Sequence, residues 1–258
     1  MLEGHISKAF DGDLAALHIS VLEMGGLVLE QLREAAAAYT EGDAVAAERV
    51  IDRVAAVSQY DARIDRDEFT LIARRQPVSR DLRAILALAK SVGELKRVGA
   101  EARKIAAAVL REGSRPARAT SADARHLADL SIRLLRRSLE ALDRIDPDAA
   151  AEVIASDEEL DVEYESGVRR LLTRAMEEPS HLDAAMEAAF ILKALEHVGD
   201  HARIIAAHVR SIVPDEPAPA AGLEDRQGRD ARAAAERSHE RGDSTAPADP
   251  SAAAGDES

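Results

Sequence analysis

Cysteine is absent from the 258-residue chain, and so is tryptophan. Without thiols there are no disulfides, no cysteine nucleophile and no cysteine-ligated zinc. The absence is compatible with a reducing compartment. Aromatic residues amount to only 2%, although 46% of the chain is apolar. Any core must therefore be built from Ala, Leu, Ile and Val, a set that suits helix packed on helix. Positive charge is short as well: 34 Lys and Arg face 48 Asp and Glu, for a net charge of −14. A chain this acidic is a poor general binder of nucleic acid or anionic lipid and favours cations and basic partners. The opening "MLEGHISKAFDGD" lacks the basic segment and apolar stretch of a secretory signal. No apolar run approaches the ~20 residues of a membrane span. These absences predict a soluble cytoplasmic protein.

What is present is helical punctuation. "YTEGDA" (39–44), "RRQPVSRD" (74–81), "REGSRPARATSAD" (111–123), "RIDPDAA" (144–150) and "EEPSHLD" (177–183) carry Gly, Pro or capping residues. Between them lie six segments with helical periodicity. Leu14, Leu17, Val21, Met24 and Val28 form one apolar seam; Leu195, Val198, Ala202, Ile205, Val209 and Ile212 form another. Six long helices with short connections predict an all-α fold of antiparallel bundles. Residues 214–258 differ. They hold five of the nine prolines, one Leu and no Ile, Val, Phe or Tyr, so they are predicted to form a disordered tail, with 230–241 transiently helical.

The chain is also duplicated. "ELKRVGAEARKIAAAV" (94–109) and "ALEHVGDHARIIAAHV" (194–209) are identical at nine of sixteen positions. Residues 58–77 pair in character with 161–179. The reading is two tandem three-helix bundles, 1–113 and 118–213, followed by the tail 214–258. Gly99 and Gly199 recur at the same place. A glycine in a helix interior costs roughly 1 kcal/mol relative to alanine, so both are expected to let a neighbouring helix approach closely.

Acids four apart share one helix face. Glu196 and Asp200 form such a pair around Gly199. Asp61 with Asp65, and Asp157 with Asp161 and Glu165, form others. Asp61 falls on the seam Val50, Val54, Val57, Ile64, where an unpartnered acid is unfavourable. Two carboxylates aimed at one point suit a bound cation. In a chain with 48 acids, pairs at this spacing also arise on plain solvated faces. His197 and His201 also share a face, a chelating spacing, but they lie off the seam and are expected at the exposed surface. Glu94 and Glu101 lie near Lys96 and Ala100 and are expected to point elsewhere on that helix. There is no Gly-rich phosphate loop, no nucleophile elbow and no well-formed pair of Glu-x-x-His motifs of a di-iron bundle.

"ALEHVGDHARIIA", "ARRQPVSRDLRAI" (73–85) and "HISKAFDGDLAALHISVLEMGGLVLEQLREA" (5–35) resemble the PhoU family, over about residues 3–213 and in the family's order. The resemblance implies two three-helix bundles side by side and a non-enzymatic, negative regulatory role in phosphate transport and homeostasis. It implies action between the ATPase of a phosphate ABC transporter and a sensor histidine kinase of two-component signalling. A homodimer and membrane attachment only through partners are further expectations. It also implies metal sites, for iron, zinc, manganese or magnesium, at Glu196 and Asp200, at Asp157, Asp161 and Glu165, and at Asp61 and Asp65. The first repeat departs from the motif, with Lys96 and Ala100 where the second has Glu196 and Asp200. The alternative is a metal-dependent helical-bundle enzyme using the same carboxylates. Such a site, built from both repeats, would lose donors at Lys96 and Ala100.

Overall fold

The computed structural model describes residues 3–111 and 118–213, and the expectations for 214–258 lie outside the described residues. Every long element is a helix: α1 (Glu3–Glu41), α2 (Ala44–Asp52), α3 (Val54–Arg75), α4 (Ser79–Val109), α5 (Arg118–Arg144), α6 (Pro147–Glu177) and α7 (Leu182–Ile212), with a single 3₁₀ turn at Pro179–His181. Among the described residues there is no strand.

The stops follow local chemistry. Gly42 adopts φ 72°, and Asp43 then caps α2 by accepting hydrogen bonds from the amides of Val45 and Ala46. Asp146 caps α6 in the same way, with Pro147 in the first turn. The two turns are one motif: Asp43 N donates to Ala38 O at 3.0 Å, and Asp146 N donates to Ala141 O at 3.0 Å. Where the first turn has Gly42, the second has Ile145 at φ 50°, a conformation that strains a β-branched residue.

The second of the six expected helices is jointed. Arg53 stands between α2 and α3 with helical angles, φ −69° and ψ −13°. Val50, Ile51, Val54 and Val57 crowd this joint, and β-branched residues are poor helix formers. Arg53 also reaches Glu34 on α1, 2.7 Å away.

α1, α3 and α4 pack together in the first repeat, and α5, α6 and α7 in the second; α1 also packs on α5, and α4 on α7. One hydrophobic core consequently runs through both repeats, from Val28, Leu32 and Leu95 to Leu135, Leu160 and Leu195. Buried polar groups pin it: Gln31 Nε2 donates to Val50 O at 2.9 Å, and Ser131 Oγ donates to Leu195 O at 2.8 Å. α1 corrects one expectation. Its span Phe10–Glu41 is long and apolar enough to cross a membrane. Its Leu17, Val21, Met24, Val28 and Leu32 are buried in this core, and core helices pass that test as readily as spans do.

Candidate functional site

The seam of α7 buries Leu195, Val198 and Ala202, which turns Glu196 and Asp200 toward the edge facing α6. Gly199 sits between them. A Cβ on Gly199 would overlap Leu160 Cδ2 and stand 3.4 Å from Asp157 Oδ1. The glycine therefore brings α6 close enough to lay Asp157 beside α7. Gly99 corrects the expectation of a shared need. Its Cβ would stand 3.4 Å from Gln31 Oε1 and 3.7 Å from Val57, which is ordinary contact.

Asp157 is buried, and its Oδ2 lies 2.7 Å from Arg203 Nε. Burial pushes its carboxyl pKa up; Arg203 pulls the other way, and the nearby charges of Asp161 and Asp200 push it up further. Arg203 also donates to Asp200 at 3.4 Å. Glu196 is largely covered and lies 2.7 Å from Lys193 Nζ. His197 Nε2 stands 3.9 Å from the same carboxylate. Burial works against the Lys193 ammonium. Glu196, with Tyr164 and Asp200 behind it, outweighs that and holds its pKa above the usual lysine range. Asp161 and Glu165 are exposed on the next turns of α6.

Five carboxylates thus share one face of α6 and α7, and two cations lie among them. Their oxygens are the donors a hard cation takes. Among the described residues, however, no three His, Asp or Glu side chains converge to hold a metal ion, and the acids are paired instead with Arg203 and Lys193.

The first repeat is arranged differently. Asp61 is half-buried and ion-paired with Lys96 Nζ, so its partner is the lysine that replaces the motif's acid. Asp65 is exposed, and Ala100 has no donor. The contacts Gly99–Val57 and Gly199–Leu160 also register the repeats. In that register Asp61 answers Tyr164 and Asp157 answers Val54, so the two acid pairs are not equivalents.

One expectation is corrected between α4 and α7, that of exposed histidines. Glu94 and Glu101 point away from Lys96 and Ala100, as expected, and are buried against α7. His201 is only 15% exposed, with Nδ1 2.8 Å from Glu94 Oε2, and His197 Nδ1 is 3.6 Å from Glu101 Oε1. Glutamates seven apart on α4 meeting histidines four apart on α7 was the available signal. It is readable only once α4 is known to pack on α7.

Fold and site together define a duplicated three-helix repeat protein with a carboxylate face on its second repeat. The model of the PhoU domain matches residues 21–109 and 124–209, and the chain belongs to the PhoU family. It is 36% identical over 207 residues to the phosphate-specific transport system accessory protein PhoU homolog of Pseudomonas putida, covering 79% of this chain and 80% of that protein. It is 33% identical over 204 residues to the phosphate-specific transport system accessory protein PhoU of Escherichia coli strain K12, covering 79% and 85%. The crystal structure of PhoU from Pseudomonas aeruginosa superposes with a TM-score of 0.75 at 33% identity, covering 79% of this chain and 98% of that one.

Proposed function

We propose that the chain is a non-enzymatic regulator of phosphate uptake and phosphate-starvation signalling. It acts as an adaptor between the ATPase subunit of a phosphate ABC transporter and its sensor histidine kinase, and it restrains the two-component pathway. The observation that carries this reading is the family match over both repeats, with relatives named as accessory proteins of phosphate-specific transport. The net charge of −14 supports docking on basic surfaces. In this reading the protein works in the cytoplasm as a homodimer and reaches the membrane only through its partners.

The face of α6 and α7 would bind iron, zinc, manganese or magnesium through Asp157, Asp161, Glu196 and Asp200, with Glu165 at its edge. The bound ion would replace Arg203 and Lys193 as the counter-charge. An enzyme built from both repeats would need donors where Lys96 and Ala100 stand, which counts against that alternative.

Deleting the gene in its host, grown in ample phosphate, is expected to derepress an alkaline phosphatase reporter. An unchanged reporter in a host without a second family member overturns the signalling assignment. The metal face is tested by elemental analysis after loading with each of the four metals. Bound metal in the wild type and its loss in Glu196→Ala/Asp200→Ala is the expected result; a wild type that retains none overturns it.

A further inference from the structure

Positive charge also gathers on this acidic chain, away from the α6–α7 face. A cleft of about 460 Å³ runs between the C-terminal part of α1 and α5. Arg33 from α1 and Arg125, Arg133 and Arg136 from α5 line it. All four are exposed. The turn that ends α1 and the turn that ends α5 share one hydrogen-bond pattern; counted back from them, Arg33 and Arg136 occupy the same position in the two repeats. Arg33 has only a 3.9 Å approach to Glu30. Among the described residues, Arg125, Arg133 and Arg136 have no ion-pair partner, in a chain with 48 acids against 34 basic residues. Two acids, Glu41 and Asp129, also line the cleft, so the arginines outnumber them two to one.

We propose that this cleft is a binding site for a linear chain of phosphates. Guanidinium is planar, permanently charged and suited to two-point contact with phosphate oxygens. Arg125 and Arg136 are three turns apart on α5, about 16 Å at the helical rise. A single orthophosphate can engage only one part of that row, whereas a chain of phosphates reaches several of its arginines at once. The floor is made of small or short side chains, Ala36, Ala37, Ala128 and Ile132, which lets a thin anion lie down between the arginines. No aromatic residue lines the cleft, so a nucleobase would find no ring to stack on. That disfavours nucleotides and single-stranded nucleic acid in favour of the bare phosphate chain. The inference does not depend on the regulatory reading above.

Calorimetric titration of the full chain at low salt tests it, with tripolyphosphate, orthophosphate, ATP and poly-glutamate as probes. Tripolyphosphate is expected to bind saturably, and orthophosphate at least about tenfold more weakly. Arg133→Ala/Arg136→Ala is expected to weaken tripolyphosphate about tenfold or more, and Arg133→Lys/Arg136→Lys by less, since lysine keeps charge but not the planar fork. Arg66→Ala/Arg74→Ala, on exposed positions of α3, removes the same charge elsewhere and is expected to leave binding unchanged. Circular dichroism confirms that each variant is folded. Equal weakening by the α3 pair means diffuse attraction and overturns the site. So does poly-glutamate that binds as tightly as the phosphate chain, or no phosphate-chain binding by the wild type.

Discussion

At Gly199 two opposing effects meet. Alanine would gain roughly 1 kcal/mol of helix propensity but push its methyl into Leu160, which is buried and has little room to turn. Overpacking of this kind costs about 1–3 kcal/mol. Gly199→Ala is therefore expected to destabilise the fold or leave it level, whereas Gly99→Ala, with only ordinary contacts, is expected to stabilise it by about 0.5–1 kcal/mol. Urea unfolding of the two variants checks the contrast; equal gains would contradict the close approach at Gly199. Asp157 carries a second prediction. A carboxyl whose pKa is higher folded than unfolded binds its proton more tightly in the folded state. Stability from this group is therefore lost as pH rises from its ordinary range through the raised value. Asp157→Asn removes that part of the slope, and denaturant midpoints across acidic pH read it; an unchanged slope contradicts the assignment. At this scale the sequence announced Glu196, Asp200 and the need for a partner at Asp61. It did not announce Arg203 or Lys193 as the groups that hold the acids, because a basic residue's partner depends on which helix lies beside it.

The helices themselves were legible wherever an apolar seam met a clear stop, as at Gly42–Asp43 and Asp146–Pro147. The joint at Arg53 was less so, since its cause is a cluster of β-branched residues inside a continuous pattern. What the seams could not show is which repeat faces which. The contact of α4 with α7 turns Glu94 and His201, each apparently a surface group, into a covered pair 2.8 Å apart. Removing Glu94 leaves His201 covered without this hydrogen bond, whereas removing His201 leaves Glu94 with Arg97 as its partner. A double-mutant cycle on Glu94→Gln and His201→Gln is expected to give a coupling of about 0.5–3 kcal/mol. A coupling indistinguishable from zero would mean that the pair does not tie the repeats together.

In the whole molecule, the duplication was visible before any coordinates, through sixteen aligned residues around Gly99 and Gly199. Its functional asymmetry was visible in part, through Lys96 and Ala100. The structure adds that Lys96 neutralises Asp61, so the first repeat's face is closed internally while the second retains five acids against two cations. The arginine cleft between α1 and α5 was not legible, because its residues are scattered among ordinary helix-surface positions and are gathered only when the two repeats pack. The proposed function implies that repression depends on the carboxylate face of the second repeat. Its most direct test is complementation of a deletion strain grown in ample phosphate, with the wild-type gene beside Glu196→Ala/Asp200→Ala and expression of both verified by immunoblot. The account predicts that the wild type restores repression of the starvation reporter and that the folded variant does not. Full repression by the variant would contradict it.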